Sequence, residues 1–218
     1  MRPRLLDLCC GAGGSAVGFH RAGFDVVGID SRPQPHYPFN FVRGSALALP
    51  RWLELLGPFD AIHAAPPCQR WAEGTGWHPA EHPDLIAPLR PLLDEAGLPW
   101  MIENVPAAPL RPDAILCGTG FGLGADGLEL RRHRVIEASF PLGQAPACAH
   151  RLPAIPVFGH SATRDWYRRH RRGVHIGVKQ AAMGIGWMDR DELAEAVPPA
   201  FTEWLGRELL GHLTAAAA

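Results

Sequence analysis

The sequence predicts an α/β fold: a parallel sheet with helices on both faces. Three observations carry this. Over the first two-thirds of the chain, short apolar or β-branched runs alternate with helical patterns. The first run opens into a glycine-rich turn, DLCCGAGG (7–14). The second, FDVVGID (24–30), ends on Asp30. A glycine turn between strand and helix, followed by an acid closing the next strand, marks a Rossmann-like unit that binds an adenosine-containing cofactor.

The elements follow in order. RLLDL (4–8) forms the first strand, and SAVGFHRA (15–22) forms a helix stopped by Gly23. Further strands are FDAIHAA (59–65), PWMIENV (99–105) and DAILCG (113–118). A helix fills 83–96, with Pro83 and Asp84 in its first turn and Gly97 at its stop. Near Pro141 the periodicity is lost. Residues 141–175 carry prolines, glycines, histidines and the basic run RDWYRRHRR (164–172), and read as a very small separate lobe. A last helix occupies about 199–213, and the terminal alanines fray. The expected organisation is a catalytic domain from 1–140 and 176–218, with a small recognition region at 141–175.

The bulk numbers agree with a globular protein. Of 218 residues, 47% are hydrophobic and 20% charged, so a core can be buried. The net charge is −1, so any polyanion must be held by a local patch. Five cysteines, an odd number, and no signal-like leader point to free thiols in a cytoplasmic setting. No apolar run is long enough to cross a bilayer. No GKS or GKT cradle for phosphate is present, which disfavours nucleotide hydrolysis.

Several side chains stand out chemically. The glycine turn alone is weak evidence, since a tight turn with a capping acid reads the same way; Asp30 sharpens it by offering a carboxylate to two ribose hydroxyls. Cys68 in PPCQ (66–69) leaves a strand on a loop stiffened by two prolines. A lone cysteine is more often a small buried hydrophobe, yet this one sits on no apolar periodicity. Glu103 ends an apolar strand, where an acid is either paired or functional. In LRRHR (130–134), an extended chain points Arg132 and Arg134 to one face, where they suit a carboxylate, a phosphate or a carbonyl oxygen. The bland alternative is a solvated surface.

Taken in order, DLCCGAGG, GID, GPFDAIHAAPPCQ, WMIENVP, LCGTGFGL, LRRHR and AVPP resemble the motifs of the DNA cytosine carbon-5 methyltransferase family, with compact bacteriophage members the nearest. The resemblance spans nearly the whole chain except 141–175, and PPCQ followed about 35 residues later by ENV is its most specific pair. It implies a class I methyltransferase sheet and S-adenosylmethionine as cofactor. It implies that the Cys68 thiolate adds to carbon 6 of a flipped cytosine. Glu103 would hold the ring nitrogen and exocyclic amine, and Arg134 the carbonyl oxygen, supported by Arg132. Asp7, Leu8, Gly11, Gly13, Gly14, Asp30, Ser45, Pro66 and Val197 would form the cofactor site. The loop RWAEGTGWHPAEH (70–82) resembles the family's mobile catalytic loop, with Trp71 or Trp77 able to seal it. Departures fall among cofactor contacts: Cys9 stands for a phenylalanine, Ser45 for an aspartate, Leu130 for a glutamine and Glu195 for an asparagine.

The implied partner is DNA, double-stranded with one base flipped out, bound by a monomer. Gln69, Arg70, Arg164, Arg168, Arg169, Arg171 and Arg172 are the expected DNA contacts, most of them to phosphate. So small a lobe presents few side chains to base edges, which predicts a target of about two to four base pairs. No metal is expected: Cys148, His150 and His160 offer a C-x-H spacing without a fourth ligand. Three rivals stay open: the same chemistry on RNA or a free cytidine nucleotide, a non-catalytic DNA-binding relative, and a cysteine hydrolase using His63 as base.

Overall fold

A computed structural model describes residues 1–72, 82–157 and 174–216. Seven strands form one sheet: β1 Arg4–Leu8, β2 Asp25–Asp30, β3 Asn40–Arg43, β4 Ala61–Ala64, β5 Trp100–Asn104, β6 Ala114–Cys117 and β9 His133–Ala138. Their order is β3-β2-β1-β4-β5-β9-β6. Two short strands, β7 Gly124–Ala125 and β8 Leu128–Glu129, pair separately. The helices are α1 Gly14–Ala22, α2 Leu49–Leu56, α3 Ile86–Glu95, α4 Ile176–Met183, α5 Arg190–Glu195 and α6 Pro199–Ala216.

The sheet is mixed, not parallel throughout. β1 to β5 run parallel, but β9 lies antiparallel to both β5 and β6. The alternation of strands and helices supports a parallel sheet only as far as β5. Beyond it the chain enters β9 from the far end, so β9 starts where the parallel strands finish.

Strand alternation divides the core between the two faces. Leu5, Val26, Ala61 and Met101 face α1 and α6 with Phe19, Phe201 and Leu205. Leu6, Leu8, Ile29, Ile62 and Ile102 face α2 and α3 with Leu49 and Leu89. A third cluster joins Leu130, Ile155 and Val157 to Met183 and Leu193. Ile155 and Val157, from the stretch expected as a separate lobe, therefore pack against residues on both sides of it in the sequence. The rest of that lobe, 158–173, lies outside the described residues.

Helices α1 and α6 approach closely because small residues line their contact. A methyl group at Gly18 would stand 2.0 Å from Thr202 Oγ1 and 2.2 Å from the Pro199 carbonyl. Thr202 in turn donates to the Ser15 carbonyl at 2.9 Å. Gly18→Ala is therefore expected to force the helices apart and lower stability by about 1–3 kcal/mol. Urea unfolding followed by circular dichroism checks this, and an unchanged midpoint would refute it.

Candidate active site

The strand ends of a doubly wound sheet form a crevice, and ligands bind there. A cavity of about 630 Å³ occupies that place, lined by residues from the ends of β1, β2, β4 and β5, the start of β9, and the segment after α5.

One half is built by the glycine turn. Cys9 takes a left-handed backbone, φ 55°, which an L-residue seldom adopts. Gly14 must be glycine: a Cβ there would sit 2.4 Å from the Val197 carbonyl. Asp30 closes the turn, with one oxygen accepting from Gly11 N at 3.1 Å and the other from Arg32 N at 2.9 Å. Each carboxylate oxygen keeps a second lone pair for a ligand hydroxyl. Trp187 Nε1 donates to the Ala12 carbonyl at 2.9 Å and braces the turn from the opposite side. Gly11, Gly14, Asp30, Ser45, Pro66 and Val197 all line this half. Ser45 Oγ accepts from Leu47 N at 3.2 Å, which leaves its hydroxyl proton available.

Asp7, Leu8 and Gly13 do not line the cavity. Leu8 is core, and Gly13 packs against Tyr37 and Pro38. Asp7 is fully buried and accepts from His63 Nδ1 at 2.7 Å, its cross-strand partner in β4. Burial outweighs His63 and pushes the Asp7 carboxyl above the ordinary range. His63 is thus held by Asp7 and packed against Phe19, with the ring centres 5.0 Å apart and the rings tilted by 56°. His63 is fully buried and does not line the cavity that holds Cys68, so it is not placed to serve as the base the hydrolase rival needs.

The other half gathers a thiol, a carboxylate and a guanidinium. Cys68, Glu103 and Arg134 all line the same cavity. Asn104 Nδ2 donates to the Pro66 carbonyl at 2.9 Å, tying the Cys68 loop to the end of β5. The antiparallel entry of β9 brings Arg134 to this edge, with its Nε 2.5 Å from Glu103 Oε1. That contact is an ion pair without aligned hydrogen-bond geometry, and both side chains are largely buried. Arg132 lies just before the strand and is buried as well. Its guanidinium donates to the carbonyls of Val157 (2.9 Å) and Ala194 (2.8 Å), so it pins the third core cluster to the site while standing behind the cavity wall. Neither arginine is a solvated surface charge.

Two of the cavity-lining thiols, Cys9 and Cys68, differ electrostatically. Burial, with Asp30 and Asp7 adding to it, pushes Cys9 up to about 12. Burial also raises Cys68, but Arg134 and Arg132 pull it back down while Glu103 and Glu195 push it up. The resting group is therefore a thiol with cations at hand. Iodoacetamide labelling of Cys68 should keep accelerating above pH 9, and Arg134→Gln should move that rise to higher pH. Peptide mass mapping reads both; a plateau below pH 8 would contradict the buried thiol.

At the rim, Glu195 accepts from Arg32 Nη2 at 3.0 Å and from Gln69 Nε2 at 3.2 Å. It thus joins the two halves. Arg70 donates to the His82 carbonyl at 3.0 Å and lies over the Trp71 ring. Residues 73–81, with Trp77, lie outside the described residues, as do Arg164, Arg168, Arg169, Arg171, Arg172 and His160. Asn104, Trp187 and the link of Glu195 to Arg32 were not singled out by sequence reasoning, and Gln69 was expected only as a DNA contact. Asn104 stood inside ENV; its carbonyl partner on another loop left no trace in spacing.

No protein-family model matches the sequence, and no curated protein does. Solved structures do match. A Dnmt2 methyltransferase from S. pombe aligns with TM-score 0.60 at 14% identity, over 98% of this chain and 99% of that one. A DNMT2 mutant from Spodoptera frugiperda gives 0.57 at 13%, over 95% and 99%. The methyltransferase EhMeth from Entamoeba histolytica gives 0.56 at 12%, over 98% and 99%. The fold is that of these methyltransferases. The central seven-stranded sheet flanked by helices is the shared part, as the Rossmann-like pattern of the sequence predicts. Among the described residues, no helix is long and apolar enough to cross a membrane.

Proposed function

We propose that the protein transfers a methyl group from S-adenosylmethionine to carbon 5 of cytosine in DNA. The observation that carries this reading is that Cys68, Glu103 and Arg134 share one cavity with the Asp30-closed glycine turn.

The donor set fits the cofactor. Asp30 offers lone pairs to a ribose diol, Ser45 offers a hydroxyl to the base, and Gly11, Gly14, Pro66 and Val197 allow close backbone approach. When bound, the cofactor supplies an electrophilic methyl group. The chain's own residues do the rest. Cys68 gives up its proton and its sulfur bonds to carbon 6 of the ring, which makes carbon 5 nucleophilic. Glu103 holds ring nitrogen 3 and the exocyclic amine, sharing a proton as charge builds. Arg134 balances the carbonyl oxygen and keeps Glu103 in place. After carbon 5 has been substituted, loss of its proton reforms the double bond and releases the thiolate.

The reacting carbon is stacked inside a duplex, so the nucleotide must rotate out at a cost of a few kcal/mol. In this reading residues 141–175 recognise the target, and the basic run 164–172 holds phosphates. Incubation with methyl-tritiated cofactor and, separately, duplex DNA, single-stranded DNA, RNA and free cytidine nucleotide tests the substrate. Label is expected in duplex DNA and recovered as 5-methylcytosine after nucleoside digestion. Label confined to RNA or free nucleotide overturns the DNA assignment, and none in any arm overturns the reading.

A further inference from the structure

We propose a second site in this protein: a structural zinc centre formed by Cys117, His133, Cys148 and His150. One ligand atom from each lies within 4.8 Å of every other. Cys148 Sγ stands 3.0 Å from His150 Nε2 and 3.5 Å from His133 Nε2, and Cys117 Sγ stands 3.4 Å from His150 Nε2. Tetrahedral Zn²⁺, with bonds of about 2.3 Å to sulfur and about 2.0 Å to nitrogen, separates sulfur from nitrogen by about 3.6 Å. Two of the three spans already match.

The fold gathers these residues. Cys117 closes β6 and His133 opens β9, and the two face each other across the antiparallel pair. Cys148 and His150 are two apart in a stretch without regular structure, held from both sides. Ala149 N donates to Thr119 Oγ1 at 3.2 Å. Arg151 N and Leu152 N both donate to a Glu129 oxygen at 2.9 Å. The bracket therefore exists independently of any ion.

The donor set selects the metal. Two thiols and two imidazoles without a carboxylate suit zinc and exclude calcium or magnesium as the preferred ion. Four protein ligands leave no open position, so the role is structural. A disulfide between Cys117 and Cys148 is the competing use of the sulfurs. It would leave two imidazoles converging on the same point with nothing to bind. On metal uptake each thiol releases its proton to solvent and the imidazoles bind neutral. The centre would fasten the 148–150 segment to the sheet, one residue from Arg134 but on the other face of β9, since neighbouring strand side chains alternate. It is independent of the methyl-transfer reading.

The test uses the full chain with any tag removed, reduced, treated with chelator, and titrated with Co²⁺ and then Zn²⁺. Expected are about one metal per chain by elemental analysis, and the intense visible bands of tetrahedral cobalt with sulfur charge transfer, which Zn²⁺ abolishes as it replaces the cobalt one for one. Cys148→Ser should about halve the charge-transfer intensity, and His150→Ala should weaken binding at least about tenfold. Both side chains are exposed, so neither substitution opens a hole in the core. A weak octahedral cobalt spectrum, wild-type binding by Cys148→Ser, or a Cys117–Cys148 disulfide in the isolated protein overturns the proposal. The wild-type measurements decide the matter even if a variant fails to fold.

Discussion

Replacing Cys68 with alanine should reduce methylation by about 10⁴-fold or more, because no other group can form and break the bond to carbon 6. Cells expressing the wild type should show a short recurring methylated context on bisulfite sequencing, and cells expressing Cys68→Ala should show none. The loss belongs to chemistry and not to folding. Cys68 sits on a loop held by Asn104 and the two prolines, and its side chain is not part of a core cluster. Unfolding midpoints should therefore match, and equilibrium binding of cofactor should survive. A substituted base such as 5-fluorocytosine in an oligonucleotide should trap a covalent complex with the wild type alone. Equal trapping by the alanine variant would end the proposed mechanism.

The second large effect concerns Arg134. Arg134→Leu removes the cation from the cavity and strands the carboxylate of Glu103, whose side chain is only 6% exposed. Breaking a buried pair from one side costs about 3–5 kcal/mol in stability. Activity should fall by about 10²–10³-fold as well, since a donor aimed at developing charge is gone. The double variant Glu103→Leu with Arg134→Leu separates the two losses. Replacing both partners by apolar groups restores much of the stability but none of the activity. Denaturant unfolding and tritium transfer on the wild type, Arg134→Leu, Glu103→Leu and the double variant complete the cycle. If Arg134→Leu were as stable as wild type, the pair would not be the internal support described above.

Much of this arrangement was legible in the chain before its structure. β1 falls at Arg4–Leu8 and α1 at Gly14–Ala22, where apolar runs and glycine stops placed them. The strands before Cys68 and through Glu103 were equally plain, because buried parallel strands read as continuous apolar runs. Other elements were hidden for physical reasons. β3 is four residues at the sheet edge, partly exposed and preceded by Pro33, Pro35 and Pro38. α2 carries Pro50 in its first turn and lasts eight residues, too short for a clear period. α3 starts at Ile86, later than the expected 83, because Asp84 caps it by accepting from Ile86 N at 2.9 Å. β9 opens with charged side chains whose partners are ion pairs and carbonyls, so its burial leaves no hydrophobic signature. The cysteine and histidine quartet was invisible for a related reason. Its members come from three segments, and linear spacing exposes only Cys148 and His150.

Glu195 has one further consequence. A single carboxylate grips Arg32 on the cofactor side and Gln69 beside the nucleophile. A guest that draws either side chain toward itself loosens the hold on the other. Occupancy of the two compartments is thereby linked, and such linkage is symmetrical: whatever factor the first arrival imposes on the second, the second imposes on the first. Under the proposed function this coupling would set how strongly donor and acceptor favour each other, while its symmetry gives neither of them the first place.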